Sequence, residues 1–147
     1  MIQRIQTMYL LISTLLVGLL FLLPFAEIAK DGTVYLFNFK GIILDNVVKE
    51  NGIFISILIG AILALHVYAI SSFKKRVLQI RIVVFSIVLL MGLCGLFSYY
   101  TYYSFTSAII SLKIGVLFPV VAIILDYLAM RAIGKDEALI RSIDRIR

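Results

Sequence analysis

The chain has 147 residues, 63% of them hydrophobic and 15% charged, with a formal net charge of +6 and an isoelectric point near 9.6. A soluble domain carries roughly 45–50% apolar and about 25% charged residues, so an ordinary water-soluble fold is excluded. A disordered chain, which needs low hydrophobicity, is excluded too. A small integral membrane protein of one domain remains.

Crossing the hydrocarbon core takes about 20 apolar residues as a helix, and four stretches reach that length. The first runs from about Ile5 to Phe25. It follows a basic residue, Arg4, as a secretory signal would. Its exit, Pro24-Phe25-Ala26-Glu27, has no A-x-A cleavage pattern, so it reads as an uncleaved helix.

The loop 27–52 comes next. Asp31-Gly32 is a tight-turn signal because glycine supplies the positive φ of primed hairpin turns. The runs AEIAK and TVYLFNF flank it, which predicts a short β-hairpin followed by a helical or irregular return through GIILDNVVKENG. No cysteine staples this loop: Cys94 is the sole cysteine, and no internal disulfide can form.

The second span, about Ile53 to Phe73, carries Ser56, Gly60 and Ala64 at every fourth position, a small-residue stripe that invites close helix approach. His66 lies in its inner half and is expected to hydrogen-bond a hydroxyl or carbonyl of a neighbouring helix. The third span, about Ile82 to Tyr103, offers Gly92, Gly95 and Ser98 for packing. It ends in an aromatic belt of Tyr99, Tyr100, Tyr102, Tyr103 and Phe105.

The fourth span runs from about Ala108 to Met130. Lys113 near its outer end is expected to snorkel to the headgroups. Pro119 removes a hydrogen bond to the Gly115 carbonyl and should bend the helix. Asp126 lies about one turn inside the inner end, where Arg4, Arg81 or Arg131 could pair with it. An ionisable residue within lipid is a functional hypothesis by default. His66 and Asp126 are therefore the candidate intramembrane polar residues, and a proton relay between them is the functional alternative, since their depths differ by about one turn.

In the tail, 131–147, the run AIGKDEALIRSIDRIR sets Leu139, Ile143 and Ile146 on one helical stripe. An amphipathic helix is expected, hinged at Gly134, lying on the inner leaflet or docking a partner. Basic residues set the orientation. The amino terminus, the 2–3 linker and the tail hold ten lysines and arginines, against three on the opposite side with Lys113 left aside. Both termini are thus placed in the cytoplasm.

The fold expected is an all-α integral membrane protein, a four-helix transmembrane bundle with a hairpin outside and an amphipathic cytoplasmic helix. Catalytic, cofactor-binding and metal-binding patterns are absent: no Cys/His cluster, no phosphate-cradling glycine loop, no H-E-x-x-H, no nucleophile with a base beyond His66. No cofactor is expected and the chain does not read as an enzyme. The partners expected are the lipid bilayer and a membrane or cytoplasmic protein, and a homo-oligomer is compatible with the pattern. DNA is not expected, and the basic segments lack the interleaved aromatics that would support an RNA contact.

The opening MIQRIQTMYLL and the closing LAMRAIGKDEALIRSIDRIR resemble the ends of a family of small four-helix inner-membrane proteins from Bacteroidetes, a family of unknown function. The matching positions are Gln3, Arg4, Gln6 and Thr7, then Arg131, Lys135, Asp136, Glu137, Arg141, Asp144 and Arg145. The resemblance covers essentially the whole chain and implies a bacterial inner-membrane location with the topology above. It brings no catalytic or binding residue. These positions, Thr7 aside, form the candidate cytoplasmic interaction surface of a non-catalytic structural or accessory subunit. The alternative is a small transporter or proton/ion-translocating subunit using His66, Asp126 and the bend at Pro119.

Overall fold

The structure, a computed structural model, describes residues 2–30, 32–45, 47–73, 75–102 and 108–144, with the backbone only at 2–4, 141, 143 and 144. Four helices, α1 (Ile2–Leu19), α2 (Ile53–Ser71), α3 (Arg76–Tyr102) and α4 (Leu117–Asp144), form one body. In it α1 packs on α2 and α4, and α3 packs on the same two. Three apolar helical stretches, Ile53–Ser71, Arg76–Tyr102 and Ile114–Ile140, are long enough to cross a membrane. Large apolar side chains also point away from the protein: Ile57 is 62% exposed, Met91 61% and Ile124 54%. Helices apolar all round suit surroundings that are themselves apolar.

The first helix is shorter than its sequence suggests. It has 18 residues, of which the apolar part is Ile5–Leu19, about 22 Å at 1.5 Å per residue. Among the described residues three helices rather than the expected four therefore match a hydrocarbon core of about 30 Å. Beyond Leu19 the chain tightens, with Leu20 N–H donating to Val17 O and Phe21 N–H to Gly18 O, both at 3.2 Å. Pro24 then disfavours helix at the residue before it.

The hairpin expected outside is part of a five-stranded antiparallel sheet, and the all-α description is corrected accordingly. Its strands are β1 (Ala26–Lys30), β2 (Thr33–Asn38), β3 (Gly41–Leu44), β4 (Val47–Asn51) and β5 (Ile109–Leu112), in the order β4-β3-β2-β1-β5. The β1–β2 turn falls where Asp31-Gly32 predicted it, with Lys30 paired to Thr33 and Gly32 at φ 75°. The run read as a helical or irregular return is instead β3 and β4. Asp45, at φ 48°, takes the left-handed conformation that aspartate tolerates, between paired Leu44 and Val47. Ile42 pairs with Glu50 but Ile43 with Val48, so Lys49 is the extra residue of a bulge.

Strand β5 comes from the connection between α3 and α4 and pairs Ala26 with Leu112 and Ile28 with Ile110. Alternation then sends Ala26, Ile28, Phe37 and Ile42 toward the helices, where they are fully buried with Ile55, Ile59, Leu90 and Leu93. Aromatic rings lock the junction. Phe25 stacks on Phe97 at 4.3 Å between centroids, and Phe37 meets Phe25 edge-on at 5.2 Å. Tyr100 stacks on Phe37 at 5.6 Å and donates its hydroxyl to Asn51 O at 3.0 Å, so this tyrosine anchors the sheet rather than joining a belt. Tyr103 and Phe105 lie outside the described residues.

Two glycines stand back to back where the sheet meets α2. Gly41 has φ 113°, and a Cβ there would collide with the Glu50 carbonyl and stand 2.5 Å from Gly52 N. Gly52 N–H donates to Lys40 O at 2.8 Å, and Ser56 Oγ donates to Phe39 O at 2.7 Å, so the first turn of α2 is sewn to the sheet.

The fourth helix departs from expectation at both ends. Because β5 and a short 3-10 turn (Ile114–Val116) take up the start of the apolar run, α4 begins at Leu117 and Pro119 falls in its first turn. There the proline's missing N–H is one of the donors that have no helical partner anyway, which removes the cause of the expected bend. Gly134 is no hinge either: α4 runs through it without a break to Asp144. The amphipathic tail is thus the continuation of the fourth helix rather than a separate one. The small residues Gly60 and Ala64 on α2, and Gly92 and Gly95 on α3, are exposed on the outside of the body instead of packed within it.

Candidate functional site

In α2 the buried side is Ile55, Ile59, Ile62, His66 and Ala69, a stripe at helical spacing that turns the imidazole inward. In α3 the buried side includes Val83, Ser86 and Leu90, and in α4 Ala122, Asp126 and Ala129. These three stripes converge. His66 Nε2 lies 2.9 Å from Asp126 Oδ2, and Ser86 Oγ lies 3.1 Å from the same oxygen. All three side chains are fully buried.

Asp126 therefore meets His66, the contact the relay alternative requires. Among the described side chains it pairs with neither Arg81 nor Arg131, while the Arg4 side chain lies outside the description. The partner of His66 is a carboxylate rather than a hydroxyl or carbonyl. The preference is physical: a lone charge in an apolar interior is costly, and two groups that share one proton relieve each other. Either Nε2–H donates to the carboxylate or a carboxyl O–H donates to Nε2. Ser86 has a single hydrogen, for which Val83 O at 2.8 Å competes with Asp126 Oδ2. His66 Nδ1 and Asp126 Oδ1 are buried without a hydrogen-bond partner among the described residues. The cluster can tie three helices together and can hold a proton at a defined place. Among the described residues no three His, Cys, Asp or Glu side chains gather as a metal site would require. Ser86 was missed in the sequence because nothing local marks one serine among many apolar neighbours.

At the far end of the body from the sheet, two further hydrogen bonds gather the basic segments. Gln6 Nε2 donates to Ala132 O at 3.1 Å, joining α1 to α4, and Arg76 donates to Asp136 O at 3.4 Å, joining α3 to α4. Gln6 and Asp136 are buried, Glu137 is half-buried, and Arg131 and Lys135 are exposed. The side chains of Gln3, Arg4, Arg141 and Asp144, and the whole of Arg145, lie outside the description. Higher on α1, buried Ser13 donates to Ala122 O at 3.4 Å, a further polar tie of the kind that holds helices in lipid.

Lys113, expected to snorkel, instead forms an ion pair with Glu27 of β1 at 2.9 Å. The β1–β5 pairing sets Glu27 opposite Ser111, which brings the carboxylate within reach of the lysine. A family model described as a domain of unknown function (DUF4293) matches residues 2–146 of the chain. Neither a curated protein nor a solved structure matches.

Proposed function

The chain belongs to the DUF4293 family, and we propose that it is a non-catalytic structural or accessory subunit of a bacterial inner membrane. Both termini would lie in the cytoplasm, with the charged inner face engaging a protein partner. The observation that carries this reading is the pair of hydrogen bonds from Gln6 and Arg76 to the backbone of α4. They collect the amino terminus, the start of α3 and the tail at one end of the body, and these are the segments richest in lysine and arginine. An excess of basic residues at one end is what orients a membrane protein. The three helices long and apolar enough to cross a bilayer support the location.

A photocrosslinking residue at exposed Ser142, set against one at Ile124, tests the reading in native membranes. One discrete protein adduct at Ser142 and none at Ile124 is expected. Adducts absent from Ser142, or equal at both positions, overturn it.

A second reading, a proton- or ion-translocating subunit, is favoured by the two unpartnered buried atoms of the His66–Asp126 pair. It requires that Asp126→Asn abolish flux in proteoliposomes while the protein remains folded. Equal flux in the variant removes it.

A further inference from the structure

We infer that the groove between α1 and α4 at the cytoplasmic end holds one anionic phospholipid of the inner leaflet. The groove encloses about 410 Å³. Ile5 and Tyr9 of α1 and Leu128 and Leu139 of α4 give it apolar walls, and Arg131 and Lys135 stand along its α4 side. Asp136 also lines it, 7% exposed, so the two cations face one carboxylate and the groove keeps an excess of one positive charge.

Position selects the ligand. About 20 helical residues cross the hydrocarbon core, and counted from Ile114, where the fourth apolar stretch begins, they end within the Arg131–Lys135 turn. The cations therefore sit at headgroup depth, while Leu128 and Tyr9 lie about a turn deeper, beside the acyl chains. Arg131 and Lys135 are four residues apart on one helix face, an arrangement that repels when nothing anionic lies between. Among the described residues neither has a carboxylate partner. A phosphate bridging them meets the arginine's planar fork and the lysine's point charge together, and the apolar walls receive the chains. Basic recesses between membrane helices on the cytoplasmic side bind lipid headgroups in this way. The proposal rests on the membrane orientation proposed above, but it stands whether the protein is a scaffold or a carrier, because it uses neither the His66–Asp126 pair nor a protein partner.

The test is native mass spectrometry of the full-length protein released from nanodiscs that contain equal amounts of dioleoyl phosphatidylglycerol and dioleoyl phosphatidylcholine. The expected result is one retained phosphatidylglycerol per chain. Retention should fall about tenfold or more in the double variant Arg131→Gln/Lys135→Gln and stay unchanged in Lys75→Gln, a cation of a different groove. A thermal melt like that of the parent shows that the double variant is folded. Equal retention of both lipids, equal loss in Lys75→Gln, or no loss in the double variant overturns the proposal. Displacement of the lipid by millimolar inorganic phosphate also overturns it, because it would reveal a site for the anion alone.

Discussion

The imidazole of His66 and the carboxyl of Asp126 meet at 2.9 Å although 60 positions separate them in the chain. Each is fully buried, and each is the other's closest polar relief. Removing Asp126 leaves the imidazole desolvated and unpaired, and removing His66 leaves the carboxyl with Ser86 alone, each of which costs about 1–3 kcal/mol. Asp126→Ala and His66→Ala should therefore each lower the stability of the detergent-solubilised protein by that amount. The double variant His66→Leu/Asp126→Leu should lose less than the two single losses added together. Chemical or thermal unfolding of the four proteins as a double-mutant cycle measures the difference.

Gly41 and Gly32 both take positive φ but differ in their surroundings. A methyl at Gly32 meets open space, whereas at Gly41 it meets the Glu50 carbonyl and the Gly52 backbone. Gly32→Ala should cost about 1 kcal/mol, the left-handed penalty alone. Gly41→Ala should cost clearly more and should open the junction between β3 and α2. Limited proteolysis around residues 40–52 reads the second effect directly.

Gly134 lies inside an unbroken helix, and an added Cβ there meets nothing within 4 Å. Gly134→Ala should stabilise the protein by about 0.5–1 kcal/mol, since glycine inside a helix carries an entropic penalty relative to alanine. A fall in melting temperature would restore the hinge that the sequence suggested.

The Lys113–Glu27 pair is 40% and 39% exposed. Exposed pairs contribute at most about 1 kcal/mol and weaken with salt. Lys113→Ala should thus shift the melting temperature only slightly, and the shift should shrink further in 1 M salt.

The apolar runs could be read because length alone marks them, and the Asp31-Gly32 turn because its chemistry is local. The rest of the sheet could not. In GIILDNVVKENG three adjacent apolar residues hide the alternation, and a bulge at Lys49 shifts its phase. The four residues of β5 are too few to show a period, and their partner lies two helices earlier. Without β5 the apolar run begins at Ala108, which sets the start of α4 too early and puts Pro119 in mid-helix.

The rise per residue set His66 and Asp126 about one turn apart in depth and so allowed a contact between them, but it did not select that contact over a pairing of Asp126 with an arginine. A helix that is apolar all round, as α2 is, gives no sequence signal for which way it faces. Ser56, Gly60 and Ala64 suggested one inward face, and the structure turns Ile55, Ile59, Ile62 and His66 inward instead.

Strand β1 lies between two neighbours that the ribosome delivers far apart. Its β2 side can zip as soon as the first turn is made, whereas its other side waits for Ile109–Leu112, after α2 and α3 have been synthesised. Until then β1 presents a bare row of amides and carbonyls, ready to pair with a foreign strand. Completion of the sheet is thus a late event in biogenesis, and an emerging chain halted before residue 109 would be left adhesive on that flank.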